Sequence, residues 1–315
     1  MQSAERHVVL IGTGGTIAGA AQAARDHLDY EAGALSVGEL VAAVPALQEV
    51  PLEAENLAQL DSRDMDHATW QSLARRAAHH LARTEVAGVV VTHGTDTLEE
   101  TAYFLHRTVE ADKPLVLTAA MRPATALCAD GPQNLLDAVT LAREPGARGV
   151  LIAFGGRVFG AADLRKVHGY RLEAFDAGDA GALASFEDGR LRLYRAWPSQ
   201  EVHRADALAV DVALWPVVDI VCSHAGARGS VIDALAAAGA GGIVIAGTGN
   251  GSVHASLLAA ADRAQALGLR VRRSSRCILG GVVGNLPGAL PSAGPLTPVQ
   301  ARIELLLDLL AELGA

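Results

Sequence analysis

The chain has 315 residues, half of them apolar and 19% charged, with 33 glycines and three cysteines. That length and apolar content allow large buried cores, which excludes a disordered tail, a coiled coil and a disulfide-held mini-protein. Charge balances to 26 − 35 = −9, so no basic surface is available to neutralise phosphates or an anionic membrane, and neither nucleic acid nor membrane is expected as a partner.

Short, almost wholly apolar runs punctuate the chain at Val8–Ile11, Gly88–Thr92, Leu115–Thr118, Val150–Phe154, Val217–Cys222 and Ile243–Ala246. Runs without apolar–polar alternation are the pattern of strands buried on both faces, as in parallel sheets covered by helices. Helices are predicted between them. Ser36-Val37-Gly38-Glu39 reads as a capping box opening a helix with Val37, Leu40, Val41 and Val44 on one face and Pro45 as its stop. Asp66 is the expected N-cap of a helix whose Trp70, Leu73, Ala74, Ala77 and Leu81 share a face, with His79-His80 turned to water. Leu98, Ala102, Leu105 and Val109 mark a further helix, and Thr297, Pro298 and Gln300 supply N-cap, N1 and a second capping box ahead of Ile303–Leu313.

The expected fold class is therefore α/β. A larger N-terminal domain (1–188) and a smaller C-terminal domain (211–315), each around a mostly parallel sheet covered by helices, are joined by a charged linker (189–210) that holds Pro198. No roughly 7–15-residue apolar core of a secretion signal opens the chain, and no apolar stretch is long enough to cross a bilayer. Cys128, Cys222 and Cys277 are odd in number and widely spaced, so a reduced, cytoplasmic setting with buried thiols is expected. His79-His80 does not read as a metal site.

Two strand-end loops hold the chemistry. Gly12-Thr13-Gly14-Gly15-Thr16-Ile17-Ala18-Gly19 follows the first strand, but Ile17 stands at the third glycine position of a dinucleotide fingerprint, and no Lys-Ser/Thr pair makes it a phosphate loop. Taken alone it is a tight strand-to-helix turn. Thr92-His93-Gly94-Thr95-Asp96-Thr97-Leu98-Glu99-Glu100 follows the second strand. Capping by Asp96 or Thr97 and dipole pairing by Glu99 and Glu100 account for part of it. They leave a hydroxyl–carboxylate pair unexplained, and two strand ends carrying threonines point to one cleft.

These two loops together resemble the signatures of the bacterial-type L-asparaginases, a family that includes glutaminase-asparaginases. The resemblance continues in order through Glu55-Asn56, Asp61-Ser62-Arg63-Asp64-Met65, Ala119-Ala120-Met121-Arg122-Pro123 with Ala129-Asp130-Gly131-Pro132-Gln133-Asn134-Leu135, the Lys166 segment, Gly247-Thr248-Gly249-Asn250-Gly251 and Arg273-Ser274-Ser275-Arg276. It implies hydrolysis of the asparagine side-chain amide through a threonine acyl-enzyme, with no cofactor and no metal. Thr16 matches the nucleophile and Tyr30 the tyrosine closed over it, which activates a hydroxyl that is barely nucleophilic by itself. Thr95, Asp96 and Lys166 match a second polar trio, in which Asp96 also binds the substrate α-ammonium. Ser62 matches a residue binding the α-carboxylate, and Ala120 one whose carbonyl meets the amide nitrogen. Asn250 and Ser252 match positions that lend a polar group across a subunit interface, in a homotetramer built as a dimer of dimers.

Two departures stand out. Arg63 would repel the substrate ammonium if it faced it, and no carboxylate occurs in Cys277–Asn285, where relatives that accept glutamine carry a glutamate. Weak glutaminase activity is expected. The alternatives are a non-catalytic amino-acid-binding protein on the same fold, kept open by those departures, and the asparaginase-like subunit of a tRNA-dependent amidotransferase.

Overall fold

A computed structural model describes residues 6–198, 204–284 and 289–313. The chain divides into two compact units, Met1–Ala205 and Asp206–Ala315. The first runs β1 (His7–Gly14), α1 (Val37–Ala42), β2 (Leu52–Leu60), α2 (His67–Leu81), β3 (Val86–Thr92), α3 (Leu98–Thr108), β4 (Pro114–Thr118), α4 (Gly131–Ala142), β5 (Gly149–Phe154), β6 (Arg157–Gly160), β7 (Arg165–Lys166), β8 (Phe175–Asp176), β9 (Ala184–Glu187) and β10 (Arg190–Leu193). The second runs β11 (Val218–Cys222), α5 (Ser230–Ala237), β12 (Gly242–Gly247), α6 (Ala255–Ala266), β13 (Arg270–Ser275) and α7 (Pro298–Leu313).

The large sheet has the order β10-β9-β6-β5-β4-β3-β1-β2. Its β2, β1, β3, β4 and β5 pair in parallel, while β6, β9 and β10 extend it antiparallel. The parallel strands β1, β3, β4 and β5 are the almost fully buried apolar runs expected of a sheet with helices on both faces. On one face Val8, Leu10, Val90, Val116 and Leu151 pack with Leu135, Ala138 and Val139 of α4. In α2 and α3, Trp70 stacks on Phe104 with ring centroids 5.0 Å apart. From β1 the chain crosses to β2 on one side and then returns to β3 on the other. The carboxyl ends of β1 and β3 thus flank a topological switch point, the place where open α/β sheets form their clefts.

The capping boxes of α1 and α7 form as predicted, and Asp66 accepts the Thr69 N–H at 2.7 Å. Of the span 189–210, Arg190–Leu193 is the edge strand β10.

In the smaller unit the parallel sheet β11-β12-β13 is enclosed by its helices, with Ile243, Ile245, Leu257, Ala260 and Val271 in one cluster. Three expectations need correction. The Val217–Cys222 run is not buried on both faces: as the edge strand it leaves Ile220 and Cys222 exposed. All three cysteines are exposed rather than buried, because Cys128 lies in a turn and Cys277 just beyond β13. His80 is buried, not solvated, with Nε2 3.2 Å from Glu55 Oε1 and Nδ1 2.9 Å from Arg83 Nη1. No helix among the described residues is long and apolar enough to cross a membrane.

Candidate active site

The two threonine loops meet through glycine. Thr13 Oγ1 donates to the Thr92 carbonyl at 2.9 Å, tying the end of β1 to the end of β3. Beyond it Gly15 has φ +81°, and a Cβ there would lie 2.3 Å from both Cα and N of Gly94. A Cβ on Gly94 would in turn lie 2.4 Å from Ser62 Oγ. Only hydrogen fits between these chain segments, and each glycine is followed directly by a candidate threonine.

Thr16 opens a short 3-10 turn after Gly15 and is 7% exposed. Its Oγ1 lies 2.7 Å from Tyr30 Oη. The segment carrying Tyr30 is pinned directly after it by paired backbone bonds between Ala20 and Glu31 and by Gly33 N–H to the Gly15 carbonyl. The tyrosine ring packs against Gly19, where a Cβ would come within 2.8 Å of it.

At the end of β3, Lys166 Nζ donates to Thr95 Oγ1 at 3.0 Å and to Asp96 Oδ1 at 2.5 Å. The Lys166 side chain is 16% exposed and that of Asp96 54%, so the carboxylate faces the open side while the amine is tucked beneath it. With the nitrogen donating, the Thr95 hydroxyl hydrogen is left to point elsewhere. Ser62, buried, accepts the Asp96 N–H at 3.2 Å, and its carbonyl accepts Thr97 Oγ1 at 2.7 Å. Arg63 points away into solvent, its side chain 72% exposed and its Nε 3.3 Å from Asp61 and 3.7 Å from Asp64.

Several supporting residues carry no functional signal of their own in the sequence, and Trp70 and Thr101 among them lie outside the matched segments. Asp130 accepts the N–H groups of Met121 and Arg122 at 2.9 and 3.0 Å, and Asn134 Nδ2 donates to the Ala119 carbonyl at 2.9 Å. Together they clamp the backbone on both sides of Ala120. Beneath Thr95, Trp70 Nε1 donates to Thr101 Oγ1 at 2.8 Å, Thr101 Oγ1 lies 3.0 Å from His93 Nε2, and His93 Nδ1 lies 2.7 Å from the Gly94 carbonyl. A carbonyl only accepts, so Nδ1 carries the proton and Thr101 donates to Nε2. Burial lowers the His93 pKa to about 4, which keeps the ring neutral and that one-way chain intact.

Asn250 and Ser252 belong to the second unit. Both ends of the Asn250 amide are used on Val283, donating to its carbonyl at 2.9 Å and accepting its N–H at 2.7 Å. Exposed Ser252 pairs with Thr248 through the backbone. Asn285 lies outside the described residues. Among the described residues no group of three or more His, Cys, Asp or Glu side chains is placed to hold a metal ion.

This arrangement offers two hydroxyls, each with its own hydrogen-bond partner, at adjoining strand ends. L-asparaginase 2 of Bacillus subtilis is 37% identical over 96% of this chain and 82% of its own length. Glutaminase-asparaginase of Pseudomonas fluorescens biotype A is 35% identical over 88% and 77%. The solved structure of a probable cytoplasmic L-asparaginase from Campylobacter jejuni superposes with a TM-score of 0.91 at 37% identity, covering 96% of this chain and 95% of that one. The family model for the asparaginase N-terminal domain matches residues 7–199 and that for the glutaminase/asparaginase C-terminal domain matches residues 217–313; the chain belongs to the asparaginase family.

Proposed function

We propose that this chain is an L-asparaginase, hydrolysing L-asparagine to L-aspartate and ammonia through an acyl-enzyme on Thr16. The observation that carries the reading is the pair of separately partnered hydroxyls: Thr16 on Tyr30 at 2.7 Å and Thr95 on Lys166 at 3.0 Å. In the first half-reaction Thr16 Oγ1 adds to the side-chain amide carbon while its proton passes to Tyr30. The oxyanion is held by a backbone N–H and the Thr95 hydroxyl, fixed donors of the kind that supply the largest catalytic contribution. Collapse breaks the C–N bond, the nitrogen takes up the proton and leaves as ammonia, and a β-aspartyl ester remains on Thr16. Water then attacks that ester, giving its proton to Thr95, whose own hydroxyl hydrogen turns to Lys166 Nζ, the lysine taking it up as the free amine. The ester C–O bond breaks, the proton taken from water passes back from Lys166 through Thr95 to Thr16 Oγ1, and aspartate leaves.

In this reading Asp96 binds the α-ammonium, Ser62 the α-carboxylate and the Ala120 carbonyl the amide nitrogen, and no cofactor takes part. Asn250 and Ser252 are lent across a subunit interface in a homotetramer. The outward, paired Arg63 supports an ammonium subsite free of its charge. The absence of a carboxylate in Cys277–Asn285 favours asparagine over glutamine. A cytoplasmic location is supported by the likeness to the Campylobacter jejuni protein.

Ammonia release from L-Asn, D-Asn and L-Gln, side by side with light scattering after size exclusion, tests these points. L-Asn is expected to be the best substrate and the particle to have four chain masses. Thr16→Ala and Thr95→Ala are each expected to remain folded and to lose activity by on the order of a thousandfold or more, as members of a unit that fails together. Wild-type ammonia release by Thr16→Ala would refute the assignment.

A further inference from the structure

Lys166 is held at two ends by one short stretch of chain. Its Nζ reaches Thr95 and Asp96, and its backbone N–H is donated to Glu99 Oε2 at 3.2 Å. β7 contributes little to this fixation, because it has two residues and pairs only with the equally short β8. The next N–H, that of Val167, bonds to Ala174 on the β8 side. Successive N–H groups of an extended chain point in opposite directions, so the Lys166 N–H faces away from β8, toward the start of α3, where Glu99 receives it.

An acidic residue in the first turn of a helix is ordinarily explained by the helix dipole alone. Glu100 fits that account. Glu99 does not, since its carboxyl is partly buried and bonded to a chain segment 67 residues away. The charged groups facing it are Glu100 on its own helix and Arg165 and Lys166 on β7. Burial pushes its pKa up to about 7, with Glu100 adding to the rise, while the bond from Lys166 and the charges of Arg165 and Lys166 oppose it.

We propose that Glu99 is a positioning residue, whose carboxyl oxygen fixes the Lys166 backbone and thereby aims Nζ at Thr95. The inference rests on the asparaginase reading for its kinetic consequence, but not for the contact itself. Small displacements of a catalytic group cost rate rather than binding. Glu99→Ala is therefore expected to lower kcat by about tenfold or more while KM moves by less than about threefold. Glu99→Gln keeps a carbonyl acceptor at the same place and is expected to restore kcat to within about threefold of wild type.

Amide NMR of Lys166 in the full chain reads the contact without any turnover: its N–H resonance should titrate near pH 7 in wild type and not in Glu99→Gln. Wild-type kcat in Glu99→Ala, failure of Gln to rescue, or a Lys166 amide indifferent to pH would each overturn the proposal. A wild-type protein that releases no ammonia but shows the amide titration would sink the asparaginase reading and leave the Glu99 contact standing.

Discussion

Gly15 and Gly94 touch, yet the same substitution at each has different consequences. Gly15 is at φ +81° and a Cβ there would lie 2.3 Å from backbone atoms of Gly94, which cannot swing aside. Gly15→Ala is expected to cost roughly 1–3 kcal/mol of strain and to pry apart the loops that carry Thr16 and Thr95, so both melting temperature and kcat should fall. At Gly94 the obstruction is a side chain, with Ser62 Oγ at 2.4 Å and Ser62 Cβ at 2.7 Å. A serine can rotate or shift where a backbone cannot. Gly94→Ala should therefore spare more of the stability and act through Ser62, raising KM for asparagine. Thermal unfolding combined with steady-state kinetics separates the two, and a Gly94→Ala variant that lost kcat with unchanged KM would contradict the role given to Ser62.

Among elements, α2 shows what its sequence makes legible. Its start is written locally: Asp66 caps the Thr69 N–H at 2.7 Å, and Asp66→Ala should lower stability by about 1 kcal/mol, measurable by urea unfolding. Its outer end is not written locally, since His80 is buried against Glu55 of β2, a contact across 25 residues that helical periodicity does not encode. β2 escaped the sequence reading for the same reason. As an edge strand it mixes Glu53, Glu55 and Asn56 among its apolar residues, and Glu53 is paired with Arg83 and Glu55 with Arg76 from and beside α2. β6, β9 and β10 have four residues each, too few to establish a period. The buried parallel strands were legible because burial on both faces demands an unbroken apolar run. In the site, Thr16, Tyr30, Thr95, Asp96 and Lys166 could be named because their segments resemble the asparaginase signatures; taken alone, the Thr16 loop reads as a tight turn and Tyr30 as a loop aromatic. Asp130, Asn134 and the Trp70–Thr101–His93 chain could not be named, because they act on backbone groups whose positions are known only after folding.

For the whole molecule, the response to pH follows from which ionisations folding displaces. His93 and His106 are both lowered to about 4, in each case chiefly by burial. A depressed histidine contributes stability that is complete above its unfolded value of 6.5 and is lost as pH falls toward 4. For fully buried His93 the displacement corresponds to roughly 3 kcal/mol. Glu99, raised from 4.5 to about 7, has the opposite sign: its contribution is complete below 4.5 and is lost as pH rises through 7. Asp137, raised by burial against the bond from Gln133, shares that sign. Glu53, held low first by its bond from Arg83, and Asp66, held low by the Thr69 N–H, add losses only in more acid solution. Between about pH 6.5 and about pH 4.5 the two histidines act against the raised carboxyls, of which Glu99 is the one lifted to about 7, and the urea midpoint should fall as the solution is acidified. Glu99→Gln removes the opposing contribution of Glu99 in that window. Its midpoint should therefore fall more steeply with acid than that of wild type, and a shallower fall would show that the Glu99 carboxyl is ionised in the folded protein well below neutrality.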